Sequence, residues 1–280
     1  MSKPIESTTT VPLHDGAKIP IIGLGVYQAD VGEETQQAVR WAIKHGYRHV
    51  DTAALYRNEE DVGKGIKASG VPRDQLFVTT KIWNSAHGYD NTLAAGRESL
   101  KKLDIGYIDL LLMHAPGSST VSTWQAMAKL KEDGVCKSIG VSNFGIHHLT
   151  ELQKATGILP TVNQLELSPY LQNREIVQYC HANGIVVEGY SPLTKGRKLN
   201  DPLLVEIAKR YPGKSTAQLL IRWSLQQGYV TIPKSSKEER IKANIDVFDF
   251  ELSQEDMDRL GQLEEHLVTG WDPTTSPWNP

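Results

Sequence analysis

Between the first strand-like run and the first helix-like run, the sequence reads Gly23-Leu24-Gly25-Val26-Tyr27-Gln28. A doubly wound open sheet usually carries the glycine fingerprint G-x-G-x-x-G at this place. Here the third glycine is missing, because Gln28 stands at the sixth position. The stretch therefore favours the other architecture that alternating strands and helices can build, which is a closed parallel barrel.

Strand-like and helix-like segments alternate along the rest of the chain. Apolar runs predict eight strands, at residues 21–24, 49–51, 76–82, 108–113, 138–141, 161–165, 185–190 and 229–232. Helical spacing predicts segments 33–45, 58–68, 92–103, 121–131, 146–155, 174–182, 202–210 and 215–227, and a last turn at 238–245. Eight such units imply right-handed crossovers and a parallel sheet. We therefore predict an α/β fold, a (β/α)8 TIM barrel that spans residues 1–280 as a single domain.

Two further segments flank the predicted barrel. Residues 11–20 read as a hairpin with Asp15-Gly16 as its turn, and such a hairpin would most simply close the barrel bottom. Residues 264–280 are loop-like and carry Trp271 and Trp278. We expect this C-terminal loop to fold over the pocket as a lid or a wall.

Composition limits the possible partners and compartment. A net charge of −3 offers no basic excess for a nucleic-acid backbone, and no apolar run reaches the roughly 20 residues that span a bilayer. Cys136 and Cys180 are the only cysteines, there is no Asn-x-Ser/Thr sequon, and the first ten residues lack the apolar core of a signal peptide. We expect a cytoplasmic monomer that acts on a small molecule.

The adjacent histidines His147 and His148 lie in a predicted helix. Neighbouring side chains on a helix diverge by about 100°, so these two cannot form the i, i+4 pair of a metal site. We therefore predict no metal.

Four ionisable residues, Asp51, Tyr56, Lys81 and His114, follow or end consecutive predicted strands. In a parallel barrel the C-terminal ends of the strands open onto one face, so these side chains should converge. A lysine ammonium would lower the pKa of the phenol, an aspartate would orient the lysine, and a histidine could orient a substrate oxygen. Taken singly, each residue is more often a cap, a rim charge or a core histidine. Together they predict a site that donates a proton to a carbonyl oxygen.

Three long motifs resemble the signature of the aldo-keto reductase family. They are Gly46-Tyr47-Arg48-His49-Val50-Asp51-Thr52-Ala53 through Asn58-Glu59 and Val62-Gly63, Ile139-Gly140-Val141-Ser142-Asn143-Phe144, and Ile232-Pro233-Lys234-Ser235-Ser236. The resemblance covers nearly the whole chain. It implies an (α/β)8 barrel that reduces carbonyl compounds with NADPH and without a metal.

The resemblance also implies roles for individual residues. Tyr56 would be the general acid, Asp51 and Lys81 would tune it, and His114 would orient the carbonyl. The implied cofactor groups are Ser142, Asn143 and Gln164 for the nicotinamide carboxamide, Tyr190 for ring stacking, Lys234, Ser235 and Arg240 for the 2′-phosphate, Asn244 near the adenine, and Ser191, Leu193 and Ser236 as further contacts. The implied substrate contacts are Tyr27, Trp83 and Ala115.

Departures from the family pattern concern the substrate. Ala115 and Tyr27 stand where many members have tryptophan, and the loops at 115–120 and 191–200 are short. We expect an open, permissive pocket that clamps the cofactor mainly at its phosphate. Two alternatives remain: a nucleotide-sensing or nucleotide-binding protein on the same barrel with vestigial turnover, and an unrelated barrel that binds a phosphorylated metabolite through Lys234 and Arg240.

Overall fold

The computed structural model describes residues 5–280, so the first four residues of the polar N-terminal stretch lie outside it. The strands are β1 (Thr10–Pro12), β2 (Lys18–Pro20), β3 (Leu24–Gly25), β4 (His49–Asp51), β5 (Phe77–Ile82), β6 (Ile108–Met113), β7 (Cys136–Ser142), β8 (Val162–Glu166), β9 (Val186–Tyr190) and β10 (Val230–Ile232). The α-helices are α1 (Glu33–Lys44), α2 (Glu59–Ser69), α3 (Tyr89–Leu103), α4 (Thr120–Glu132), α5 (Ile146–Thr156), α6 (Arg174–Ala182), α7 (Pro202–Ala208), α8 (Thr216–Gln226), α9 (Glu238–Ile245) and α10 (Gln254–Gly261).

Strands β3 to β10 form one parallel sheet in sequential order. Its two edges meet, because the Gly23 amide donates to the Thr231 carbonyl at 2.9 Å and the Thr231 amide donates to the Ile21 carbonyl at 2.9 Å. These bonds and the helices between the strands confirm the predicted (β/α)8 barrel. Gly23 has a packing role in it, since a Cβ there would come within 2.6 Å of Nδ1 of the His49 ring.

The predicted hairpin is present and covers the bottom of the barrel. Strands β1 and β2 pair antiparallel, with Val11 opposite Ile19. Leu13 and Ile19 are buried in one apolar cluster with Phe77, Val162 and Val230, three residues that begin barrel strands. The hairpin therefore covers the N-terminal end of the barrel and leaves the other end for the site.

The helices follow the predicted spacing with two exceptions. Residues 238–245 form the complete helix α9 rather than a turn, and α10 was not predicted. Helix α10 begins after Ser253, whose side chain accepts a hydrogen bond from the Asp256 amide at 3.2 Å. Its buried apolar face consists of Met257 and Leu260 alone, which is too short a pattern to reveal helical periodicity.

The C-terminal segment divides into two parts. Around Thr269 it contacts the barrel through Glu166, whose carboxylate accepts hydrogen bonds from the Thr269 amide and hydroxyl. Further along, the Ser276 carbonyl lies 2.8 Å from a ring nitrogen of both His147 and His148. The predicted divergence of these two rings is therefore wrong: they lie in the first turn of α5, with centroids 3.8 Å apart, and converge on one acceptor.

Within residues 5–280 we find no helix with the length and apolar character that a membrane crossing needs.

Candidate active site

A cavity of about 1090 Å³ opens at the C-terminal ends of the barrel strands. This volume lies slightly above the roughly 300–1,000 Å³ typical of ligand pockets. The predicted site residues in its wall are Tyr27, Asp51, Tyr56, Trp83, His114, Ser142, Asn143, Gln164, Tyr190, Ser191, Leu193, Lys234, Ser235, Ser236, Arg240 and Asn244. In the described part of the chain, Lys81 and Ala115 are the two predicted site residues that do not reach the wall, and both are fully buried.

Lys81 lies beneath the cavity floor. Its ammonium donates to Oδ1 of Asp51 at 2.6 Å and to the Thr52 carbonyl at 2.8 Å, and it lies 3.4 Å from the Tyr56 hydroxyl. Asp51 ends β4, and a short 3-10 turn at Ala54–Tyr56 brings the phenol back over that strand end. The ammonium thus has an acceptor for each of its three hydrogens.

The electrostatics of Tyr56 differ from the prediction. Burial raises the pKa of Tyr56 well above 10, and the negative charge of Asp51 acts in the same direction. The prediction that Lys81 lowers this pKa is therefore wrong. The Lys81 ammonium lies 2.6 Å from the Asp51 carboxylate and 3.4 Å from the Tyr56 hydroxyl, so the negative charge of Asp51 offsets its effect on the phenol. Tyr56 is therefore protonated at neutral pH and has a proton to donate.

His114 directly follows β6, the strand after the one that carries Lys81, and lines the same cavity. Its ring packs edge-on against Tyr56 at 5.7 Å and against Trp83 at 5.0 Å, measured between centroids. Burial, reinforced by the charge of Lys81, holds the pKa of His114 well below 6.5. The imidazole is therefore neutral at neutral pH, with one ring nitrogen as a donor and the other as an acceptor.

Asn143 directly follows β7 and is held there by a set of amide and hydroxyl contacts. Its Nδ2 donates to the His114 carbonyl and to Oγ of Ser142, both at 3.0 Å. Its Oδ1 accepts from the Tyr190 hydroxyl at 2.9 Å. Ser142 in turn donates to the backbone carbonyl of Gln164 at 2.9 Å. These groups form a hydrogen-bonded polar part of the cavity wall.

Cations gather at the far end of the cavity, where β10 leads into α9. Lys234, Lys237 and Arg240 line it together with the hydroxyls of Ser235 and Ser236. The start of α9 adds free backbone N–H groups and the positive end of a helix dipole. Glu238 does not offset this charge, because it pairs with Lys44 at 3.0 Å and with His45 at 3.1 Å. This end of the cavity suits a phosphate.

The opposite end has an aromatic wall. The Tyr27 ring lies 5.0 Å from that of Tyr56, and the Trp83 ring lies 6.0 Å from that of Trp271. The C-terminal segment thus reaches the pocket as predicted, although Trp278 packs 6.4 Å from His148 instead. Ala115 is fully buried and is not among the residues that line the cavity.

Four non-glycine residues of the cavity wall have left-handed backbones: Gln28 at φ 58°, Asn143 at φ 61°, Ser191 at φ 51° and Lys195 at φ 51°. Such conformations are costly for residues with a Cβ and concentrate at functional sites. Four of the ten such residues in the described part of the chain thus lie in this wall, which supports its assignment as the functional site.

The sequence patterns do not single out Leu55, Lys195 or Lys237, which also line the cavity, or Glu188, which lies beneath it. Lys195 and Lys237 stand in loops, where a lysine is ordinarily a solvated charge. Glu188 did carry a signal, because it is a carboxylate inside the apolar run 185–190. Buried carboxylates are rare unless they are paired.

Comparison with known proteins agrees with this geometry. A family model described as “Aldo/keto reductase family” matches residues 22–265. The glyoxal reductase of Bacillus subtilis is 50% identical over 271 residues, 96% of this chain and 98% of the relative. The 9,11-endoperoxide prostaglandin H2 reductase of Trypanosoma cruzi is 49% identical over 267 residues, 94% of either protein. The crystal structure of a Bombyx mori aldo-keto reductase in complex with NADP has a TM-score of 0.89 at 38% identity and covers 98% of both chains.

Proposed function

Because the chain belongs to the aldo-keto reductase family, we propose that it reduces aldehydes and ketones to alcohols with NADPH. The observation that carries the proposal is the buried contact between Lys81, Asp51 and Tyr56 on the floor of a cavity with a cationic far end. NADPH, when bound, supplies a hydride to the carbonyl carbon. We further propose that the protein acts as a monomer on a small molecule.

The residues of the floor would carry the proton chemistry. As negative charge builds on the carbonyl oxygen, Tyr56 donates its proton to that oxygen. An alkoxide is a stronger base than a phenolate, so the raised pKa of Tyr56 does not prevent this transfer. The Lys81 ammonium, 3.4 Å from the hydroxyl, then stabilises the phenolate left behind. The neutral His114 would hold the same oxygen by a hydrogen bond and so orient the carbonyl.

The cofactor assignment rests on two parts of the cavity, which fit the nicotinamide carboxamide and the 2′-phosphate of NADPH. Asn143 and Gln164 present amide groups beside the floor, where a nicotinamide carboxamide can be hydrogen-bonded. Lys234 and Arg240 stand at the cationic end, where a 2′-phosphate would meet a point charge and a planar fork. That phosphate distinguishes NADPH from NADH, so we propose a preference for NADPH.

The substrate is proposed only as a class. Two relatives of nearly equal identity are named for glyoxal and for a prostaglandin endoperoxide, so overall similarity does not set the substrate. The aromatic wall of Tyr27, Trp83 and Trp271 provides apolar surface for the body of a carbonyl compound. We propose that small dicarbonyls and aldehydes with an apolar body both enter.

The test is to incubate the purified protein with NADPH and each member of a panel of aldehydes, diketones and bulky ketones. Oxidation of NADPH is followed by its absorbance. NADH is run in parallel. The proposal predicts turnover with NADPH well above that with NADH, and the panel ranks the substrates. Tight NADPH binding without turnover on any carbonyl would contradict it and favour a nucleotide-sensing protein.

A further inference from the structure

A buried carboxylic group outside the proposed catalytic residues lies under the cavity floor. Glu188 is on β9, has no exposed surface, and does not line the cavity. Its Oε2 accepts a hydrogen bond from Nε2 of Gln164 at 2.8 Å. The same Gln164 nitrogen donates to Oδ2 of Asp51, also at 2.8 Å. One amide nitrogen therefore joins Glu188 to the carboxylate that pairs with Lys81.

These two bonds fix which way the Gln164 amide faces. An amide nitrogen has two hydrogens, and here two carboxyl oxygens take them both. The reversed amide would place its oxygen against both carboxyl groups at 2.8 Å, which is repulsive for an ionised Asp51. The amide oxygen is therefore left to face the cavity as a hydrogen-bond acceptor.

We propose that Glu188 is a positioning residue, which acts through Gln164 to hold that acceptor in place for the amino group of the nicotinamide carboxamide. The proposal rests on the function proposed above and adds a residue to it. Glu188 touches neither the cavity nor the reacting atoms, and its carboxyl group accepts its hydrogen bond from Gln164, which is the residue that connects it to the cavity wall. Asp51 alone would hold one of the two N–H groups and leave the other buried without an acceptor.

The surroundings of Glu188 indicate the protonation state in which its side chain holds Gln164. Its Oε1 lies 3.7 Å from Nε2 of His49, which is beyond hydrogen-bond range, and has no partner among the described residues. Asp51, Lys81 and Tyr56 are the other titratable groups that face it. Burial and the neighbouring Asp51 raise the pKa of Glu188 to about 8, while burial lowers the pKa of His49 to about 3. Both are neutral at pH 7. Burial raises the pKa of Asp51 as well, but Asp51 lies 2.6 Å from the Lys81 ammonium and is therefore the carboxyl group that carries the charge beside it.

A neutral Glu188 can be imitated by glutamine, which makes a sharp test. Replacing Glu188 by methionine removes the acceptor and keeps similar length, whereas Glu188→Gln keeps an acceptor oxygen without a charge. The dissociation constant for NADPH, measured by fluorescence at pH 7, is expected to rise about 5- to 10-fold in Glu188→Met. It is expected to stay within about twofold of the wild type in Glu188→Gln. Asp109→Asn is the control, since Asp109 is also buried on a barrel strand but pairs with Arg73.

A double-mutant cycle shows whether the effect passes through Gln164. In a Gln164→Leu background the amide is absent, so Glu188→Met should raise the dissociation constant no further. A second 5- to 10-fold loss in that background would overturn the proposal. If Glu188→Met lacks a cooperative unfolding transition, Glu188→Gln decides: retention within twofold supports the proposal, and a fivefold loss overturns it.

A wild type that binds and uses NADPH, with Glu188→Met binding equally well, overturns the role of Glu188 alone. A wild type that does not bind NADPH overturns both.

Discussion

Lys81 has no exposed surface, and its ammonium makes contacts only inside the protein. A buried cation is tolerated when a partner neutralises it and its hydrogens are accepted, and Asp51 and the Thr52 carbonyl provide both. The remaining contact reaches the Tyr56 hydroxyl at 3.4 Å, a long hydrogen bond in the absence of charge on the phenol. The floor is therefore prepared to stabilise a phenolate that has yet to form.

At the cationic end, Arg240 provides a residue-scale test of cofactor selectivity. Its guanidinium has no carboxylate within salt-bridge range among the described residues and lines the cavity beside Ser235. Replacing Arg240 by alanine should raise the dissociation constant for NADPH about 10- to 100-fold, because a charge-assisted bond to phosphate is lost. The constant for NADH should change little, and both are measured by fluorescence titration.

The exposed Lys242 on the same helix is the control for this substitution, since it does not line the cavity. Lys242→Ala should bind both cofactors as the wild type does. Equal weakening of NADPH binding and NADH binding in Arg240→Ala would contradict a contact between this residue and the 2′-phosphate.

At the scale of elements, helices α2 and α3 approach so closely that a glycine is required between them. A Cβ on Gly63 would overlap the carbonyl oxygen of Leu103, the last residue of α3, and no side-chain rotation can relieve a backbone clash. This explains a glycine in the middle of α2, where alanine would otherwise be more favourable by up to about 1 kcal/mol.

Gly63→Ala should therefore lower the free energy of unfolding by about 1–3 kcal/mol. Gly261, at the end of α10, is the matched control, because the nearest atom to a Cβ there is Nη2 of Arg174 at 4.0 Å. Urea denaturation of both variants checks the prediction. A Gly63→Ala variant as stable as the wild type would mean that the helices separate without cost.

Three loop elements are joined around the cavity mouth. Lys195 Nζ and Arg197 Nη2, from the loop after β9, both donate to the Thr269 carbonyl at 3.2 Å. Lys195 Nζ also lies 5.6 Å from the centre of the Tyr27 ring, in the loop after β3. The loop after Tyr190 is short, as the sequence indicates, and these contacts join it to the C-terminal segment and to the loop after β3.

For the whole molecule, the ionisation of Glu188 makes stability depend on pH. Its pKa is about 8 in the folded protein, above the ordinary value of 4.5, because it is buried and lies near Asp51. Between these two values the unfolded chain releases a proton that the folded protein keeps. The stability contributed by this group is therefore complete below about pH 4.5 and is lost as pH rises through about 8.

Glu188→Gln cannot release a proton, so it should not lose this contribution. The free energy of unfolding of Glu188→Gln relative to the wild type should rise by about 1.4 kcal/mol per pH unit between about pH 5 and pH 8, and then level off. Denaturation curves at several pH values measure this difference. A difference that is constant with pH would show that Glu188 is already ionised at pH 5.

The sequence was sufficient for the barrel and for the position of most site residues, because a parallel barrel brings the C-terminal ends of its strands to one face. Asp51, Tyr56 and His114 meet at the cavity for that reason. The features that the sequence did not reveal depend on contacts between segments that are distant along the chain. The pairing of Asp51 with Gln164 spans 113 residues, and the convergence of His147 and His148 depends on Ser276. The pKa of Tyr56 depends on burial, which no motif records.

Tyr56→Phe tests the central claim most directly, since it removes the one hydroxyl that is to donate the proton and keeps the ring. Turnover of NADPH with the best carbonyl of the panel and the dissociation constant for NADPH are measured on the same preparation. The account predicts that turnover falls at least about 10²- to 10⁴-fold while the dissociation constant stays within about twofold. Equal loss of turnover and of NADPH affinity, or turnover retained, would contradict Tyr56 as the general acid.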